Sequence, residues 1–216
     1  MPLVKGTKIC SYCHQKTGHI ARSPKDKKQV GIHIGRHIIP IPWVSLFLIL
    51  LNVIVGIYKL STDEIGILVN YGMQTGALQR GEYLRFIANG FLHLSLLHLA
   101  SNMYGLVIYG FLFENRIGHW KYLLIYIVSL LGSSLLINFI GGSGLHIGAS
   151  GAIWGLMAAN LVYCLKTRKK FLHLLYALFA VTGNTIYTFA YGISWQGHLG
   201  GAIAGFLMAL LLFAKE

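Results

Sequence analysis

The segment Gly148-Ala149-Ser150-Gly151-Ala152-Ile153-Trp154-Gly155 begins an apolar run that continues to Leu165 and stops at Lys166-Thr167-Arg168-Lys169-Lys170. A run of this length closed by a basic cluster reads as a helix that crosses a membrane and ends at the cytoplasmic surface. A glycine-rich loop, Gly141-Gly142-Ser143-Gly144, comes shortly before it. Ser150 therefore stands at a helix N-terminus on the far side, where unpaired backbone N–H groups adjoin its hydroxyl.

Working outward, five further apolar stretches can each cross a bilayer: 42–58, 93–113, 120–140, 171–190 and 195–214. Pro40, Pro42 and Trp43 suit a helix start at the interface. With 55% of its 216 residues apolar and only 11% charged, the chain is too oily for an ordinary soluble domain. The prediction is an all-α membrane protein, a six-transmembrane-helix bundle over 41–216 behind a basic tail over 1–40.

Charge sets the orientation. Eight of the 18 Lys/Arg lie in the first 40 residues, and the segments on that same side hold 15 in all. The other side holds three, Lys59, Arg80 and Arg85. The basic side is cytoplasmic, so both termini are expected inside, with the cell membrane as the expected site. The net charge of +12 is not read as nucleic-acid binding, because the basic residues flank apolar runs as anchors. The first residues are polar and basic, so no signal peptide is expected. Three cysteines, Cys10, Cys13 and Cys164, make no disulfide framework.

Ionisable and polar groups at membrane depth are costly and mark function by default. Ser150 lies 16 residues before Lys166, His98 lies 16 before Glu114, and His198 lies 17 before Lys215. At ~1.5 Å per residue, all three stand about 24–25 Å above the inner edge. Residues with unrelated structural duties have no reason to share a level. Asn102 is one turn deeper than His98 on the same face.

Glycines support the pairing. Gly197, Gly201 and Gly205 recur every four residues around His198, and Gly151 and Gly155 repeat that spacing after Ser150. Small residues at this interval let two membrane helices approach closely, which would carry the His198 ring to the Ser150 hydroxyl. No carboxylate lies between Glu114 and Glu216. A dyad is therefore expected in place of a Ser–His–Asp triad. Trp154, one turn after Ser150, is expected to stack on the imidazole and support it, with Gly148 and Gly151 keeping the approach open.

These residues resemble the rhomboid family of intramembrane serine proteases. The matching pieces are Gly148-Ala149-Ser150-Gly151, His198 with Gly201 and Gly205, and His93-x4-His98-x3-Asn102. The resemblance implies a six-helix bundle with Ser150 and His198 as catalytic dyad. It also implies an oxyanion hole formed by His98, Asn102 and the Ser150 backbone amide. Glu114-x-Arg116 is similar to the family's charged pair after the second helix. Two positions depart from the pattern: Leu84-Arg85 stands where the family often has Trp-Arg, and Trp154 where many members have a tyrosine.

The expected activity is hydrolysis of peptide bonds in or near transmembrane helices of other proteins within the lipid bilayer, with no cofactor required. Two alternatives are an inactive relative that only binds membrane helices and a proton-linked transporter. In the tail, Cys10-Ser11-Tyr12-Cys13-His14 fits the c-type haem attachment pattern, but a cytoplasmic tail argues against it. Cys10, Cys13, His14 and His19 are a weak zinc candidate beside the simpler reading of a flexible tail.

Overall fold

The computed structural model describes residues 31–34, 37–62, 65–167 and 194–214. They fall into two units, divided between Ile41 and Pro42. In the first, β1 (Gly31–Ile34) pairs antiparallel with β2 (His37–Pro40), with Ile32 opposite Ile39 and His33 opposite Ile38. The sequence reading gave this stretch no structure of its own. The overlooked signal is the cluster of isoleucines, whose β-branching favours extended backbone.

The second unit is helical. Its long elements are α1 (Trp43–Thr62), α4 (Leu96–Tyr109), α5 (His119–Ile140), α6 (Ser150–Lys166) and α7 (Trp195–Leu212). Two short helices, α2 (Ile65–Tyr71) and α3 (Arg85–Ala88), lie in the segment between α1 and α4. α4 continues through a π turn (Gly110–Glu114) and a last helical turn (Asn115–Ile117). The helical runs Leu96–Ile117, His119–Ile140 and Trp195–Leu212 are long and apolar enough to cross a membrane. Each matches one of the expected spans to within four residues at either end. The expected span at 171–190 lies outside the described residues.

The membrane setting is visible in how α1 is turned. Phe47, Leu50, Ile54 and Ile57 form an outward stripe, each 57–63% exposed. Ser45, Asn52 and Lys59, spaced by seven, are buried against the bundle. A soluble helix would show the opposite pattern. An apolar stripe facing out with polar groups facing in is the pattern expected where the surroundings are lipid. Asn52 Nδ2 donates to the Leu48 carbonyl (2.8 Å) and Lys59 Nζ to the Leu94 carbonyl (3.3 Å).

Glu114 anchors the start of α1. Its carboxylate, 0% exposed, accepts from the Val44 N–H (2.9 Å), the Ser45 N–H (2.8 Å) and the Ser45 hydroxyl (2.6 Å). It also meets His119 Nδ1 at 2.6 Å. A carboxylate here satisfies orphan N–H groups and the positive end of the helix. The ring partner of Glu114 is therefore His119, and no salt bridge with Arg116 is found among the described residues.

The loop before α4 is equally tied. Arg85 Nη1 donates to the Val69 and Gly72 carbonyls at the end of α2 (2.6 Å each), and its Nε meets Glu82 (2.8 Å). The Arg80 guanidinium also bonds Glu82 (2.9 Å) and, with Arg85, holds that half-buried carboxyl below its usual range. Asn138 of α5 accepts from the Leu78 N–H (2.9 Å), and Ser134 donates to the Phe86 carbonyl (3.0 Å). The loop is thereby fastened to the C-terminal end of α5.

Candidate active site

α7 packs mainly against α6 and α5, and glycine makes that possible. A Cβ on Gly201 would overlap the Gly151 carbonyl, and one on Gly205 would overlap the Gly155 backbone. The two backbones thus touch with no side chain between them, as small residues permit in membrane helices. Gly197 behaves differently. A Cβ there would meet Ile137 and Ser133 of α5, at 3.0 Å each. Gly201 and Gly205 therefore turn their Cα faces to α6, while Gly197 turns its Cα face to α5 and lays its carbonyl near Gly151.

This close approach brings His198, on the first turn of α7, to Ser150, the first residue of α6. His198 Nε2 lies 2.9 Å from Ser150 Oγ. The Trp154 ring stacks on the imidazole, with centroids 5.3 Å apart and planes 22° from parallel. A hydroxyl bonded to an imidazole nitrogen can lose its proton as it attacks a carbonyl.

Across from the pair lies Gly148, with φ +117 and its N–H donating to the Asn89 carbonyl (2.9 Å). A Cβ on Gly148 would stand 2.8 Å from His98 Nε2 and 3.8 Å from Asn102 Nδ2. Both the backbone conformation and the neighbouring ring require glycine here. His98 and Asn102 thus face the glycine that leads into Ser150. Asn102 Nδ2 donates one hydrogen to the His98 carbonyl (2.9 Å), which leaves a second for another acceptor. The structure brings Ser150, His198, Trp154, Gly148, Gly151, His98 and Asn102 to one region. His93 is buried, with its ring edge-on to His98 at 5.0 Å. Cys10, Cys13, His14 and His19 lie outside the described residues.

Beside the pair is a small cleft, partly open to solvent, lined by Ser150 and His198 together with Asn89, Ser133, His146 and Ser194. Sequence reasoning did not single out these last four. Their serines and asparagines look like ordinary loop and helix residues. Only His146, four residues before Ser150 in a glycine-rich loop, carried a signal that could have been read.

The Rhomboid domain model matches residues 80–215. Among curated proteins, RHOMBOID-like protein 6, mitochondrial, of Arabidopsis thaliana is 32% identical over 142 residues, covering 64% of this chain and 46% of its own length. Rhomboid protease GluP of Bacillus subtilis is 34% identical over 149 residues, 67% of this chain and 29% of its own. Rhomboid protease AarA of Providencia stuartii is 29% identical over 201 residues, 77% of this chain and 71% of its own. The chain thus spans less than half of the first two and most of the third. With the family model matched over more than half of its length, this chain belongs to the rhomboid family.

Proposed function

We propose that this protein is an intramembrane serine endopeptidase that cuts other membrane proteins in or near their transmembrane helices. The carrying observation is the 2.9 Å contact between Ser150 Oγ and His198 Nε2 at the mouth of a glycine-packed helix pair. Two relatives whose names say rhomboid protease support the same activity.

In this mechanism Ser150 Oγ attacks the scissile carbonyl carbon while His198 Nε2 takes its proton. The negative oxygen that forms accepts from the Ser150 N–H, from His98 Nε2–H and from the second Asn102 Nδ2 hydrogen. His198 then protonates the departing amine. Water attacks the resulting ester and gives a proton to His198, which passes it to Ser150 Oγ as the C–O bond breaks and the acid product leaves. Trp154 takes the orienting duty that a carboxylate has in a triad. Its indole face fixes the ring plane and attracts the imidazolium that forms transiently. No cofactor takes part.

The full architecture in this reading has six spans, including 171–190, with both termini in the cytoplasm and the site open to the other side of the cell membrane. The tail over 1–40 is a separate appendage to the membrane domain over 41–216, and Cys10, Cys13, His14 and His19 are its zinc candidates. A fluorophosphonate probe tests the chemistry. It should form its adduct on Ser150 alone, since that hydroxyl has a base and donors beside it. An adduct on another serine, or none on the wild-type protein, would count against the protease reading and favour a relative that only binds membrane helices.

A further inference from the structure

We infer that His146 is a positioning residue for the Ser150–His198 pair, acting through Ser194. This rests on the protease reading above.

His146 is 9% exposed, and both of its ring nitrogens are engaged. Nε2 lies 2.9 Å from the Gly141 carbonyl, and Nδ1 lies 2.5 Å from Ser194 Oγ. A carbonyl can only accept, so Nε2 carries the hydrogen. In the neutral ring Nδ1 then accepts from the Ser194 hydroxyl. The backbone of His146 is itself held, by a pair of hydrogen bonds with Met73 (2.8 and 2.9 Å). The ring is thus a fixed post on the loop that leads into Ser150.

Ser194 is the residue before α7, and its carbonyl accepts from the His198 N–H (3.2 Å). One connection therefore runs from Met73 through His146 and Ser194 to the backbone of His198. Packing does not make it redundant. Deeper in the bundle, glycine contacts fix α7 against α6 at Gly201 and Gly205. At the level of the pair, the first turn of α7 borders the cleft that His146, Ser194, Ser150 and His198 share. Trp154 stacks on the imidazole and Gly197 meets Ile137 and Ser133, and the His146–Ser194 contact adds a fixed point where the chain enters this turn, so the tether helps set where the imidazole sits.

The experiment uses the full chain purified in detergent. It follows the rate of fluorophosphonate labelling of Ser150, kcat and KM on a transmembrane substrate, and thermal unfolding. His146→Ala should slow labelling and lower kcat by about 10- to 100-fold, with KM little changed, because small misplacement of a reacting group costs rate and not binding. Ser194→Ala should act in the same direction, and the double variant should be no slower than His146→Ala alone. His146→Gln can donate to Gly141 and accept from Ser194, so it should recover most of the rate. Wild-type labelling by folded His146→Ala, or additive losses in the double variant, would overturn the inference while leaving the protease reading intact. If His146→Ala does not fold, Ser194→Ala decides: slowed labelling supports the tether and wild-type labelling refutes it. A wild-type protein inert to the probe would refute the protease reading, and this inference with it.

Discussion

Gly148→Ala separates two costs that a single glycine carries. The first is backbone strain, since φ is +117, a region side chains rarely occupy. Strain of this kind costs of order 1–3 kcal/mol. The second is a collision. The new Cβ would lie 2.8 Å from His98 Nε2, so the ring must retreat by about 0.6 Å to reach the 3.4 Å at which ordinary contact begins. A donor displaced from a developing oxyanion loses much of its worth, which is roughly 2.7–4 kcal/mol or 10²–10³ in rate for a whole donor. Gly148→Ala should therefore lower kcat by about 10²-fold. Gly142→Ala supplies the control. It lies in the same loop with φ +75, and its Cβ would meet nothing within 4 Å. It should cost stability without costing kcat. The assay is turnover of a labelled transmembrane substrate, with thermal unfolding read on the same preparations. Wild-type kcat in Gly148→Ala, or an equal loss in Gly142→Ala, would refute the reasoning.

Asn102→Ala should lower kcat by about 10²–10³ with KM little changed, if its second amide hydrogen meets the oxyanion; a destabilised but fully active variant would remove Asn102 from the site. Gly201→Ala places a Cβ on the Gly151 carbonyl and must push α7 from α6. It should stretch the Ser150–His198 contact and slow probe labelling by at least about 10²-fold, and labelling at the wild-type rate would show that helix contact does not set the pair. Reporter fusions at Lys16 and Lys169 should read cytoplasmic and one at Gln79 external, and a cytoplasmic signal at Gln79 would reverse the orientation.

Helices were easy to read because each apolar run is long and its ends are marked by charge, as at Lys166 and Glu114. The meeting of Ser150, His98 and His198 in one region was legible for the same reason, since a helix turns residue counts into heights. The glycine stripe announced the α6–α7 contact but not its rotation, which points the Cα face of Gly197 toward α5 while its carbonyl stays near Gly151. The polar side of α1 was missed because Ser45, Asn52 and Lys59 are scattered singly among apolar residues, and only their seven-residue spacing betrays one face. The position of His146 near Ser150 was a readable hint, but its pairing, like Ser194 and Asn89, was missed for a deeper reason. They act through pairings between loops distant in sequence, and no local pattern encodes such a pairing.

The most direct test of the central claim is cleavage of a labelled transmembrane substrate by the purified protein in detergent, wild type against Ser150→Ala. The account predicts a single endoproteolytic cut by wild type and none by Ser150→Ala, with both proteins unfolding at the same temperature. Substantial cleavage by a pure, folded Ser150→Ala preparation would contradict it.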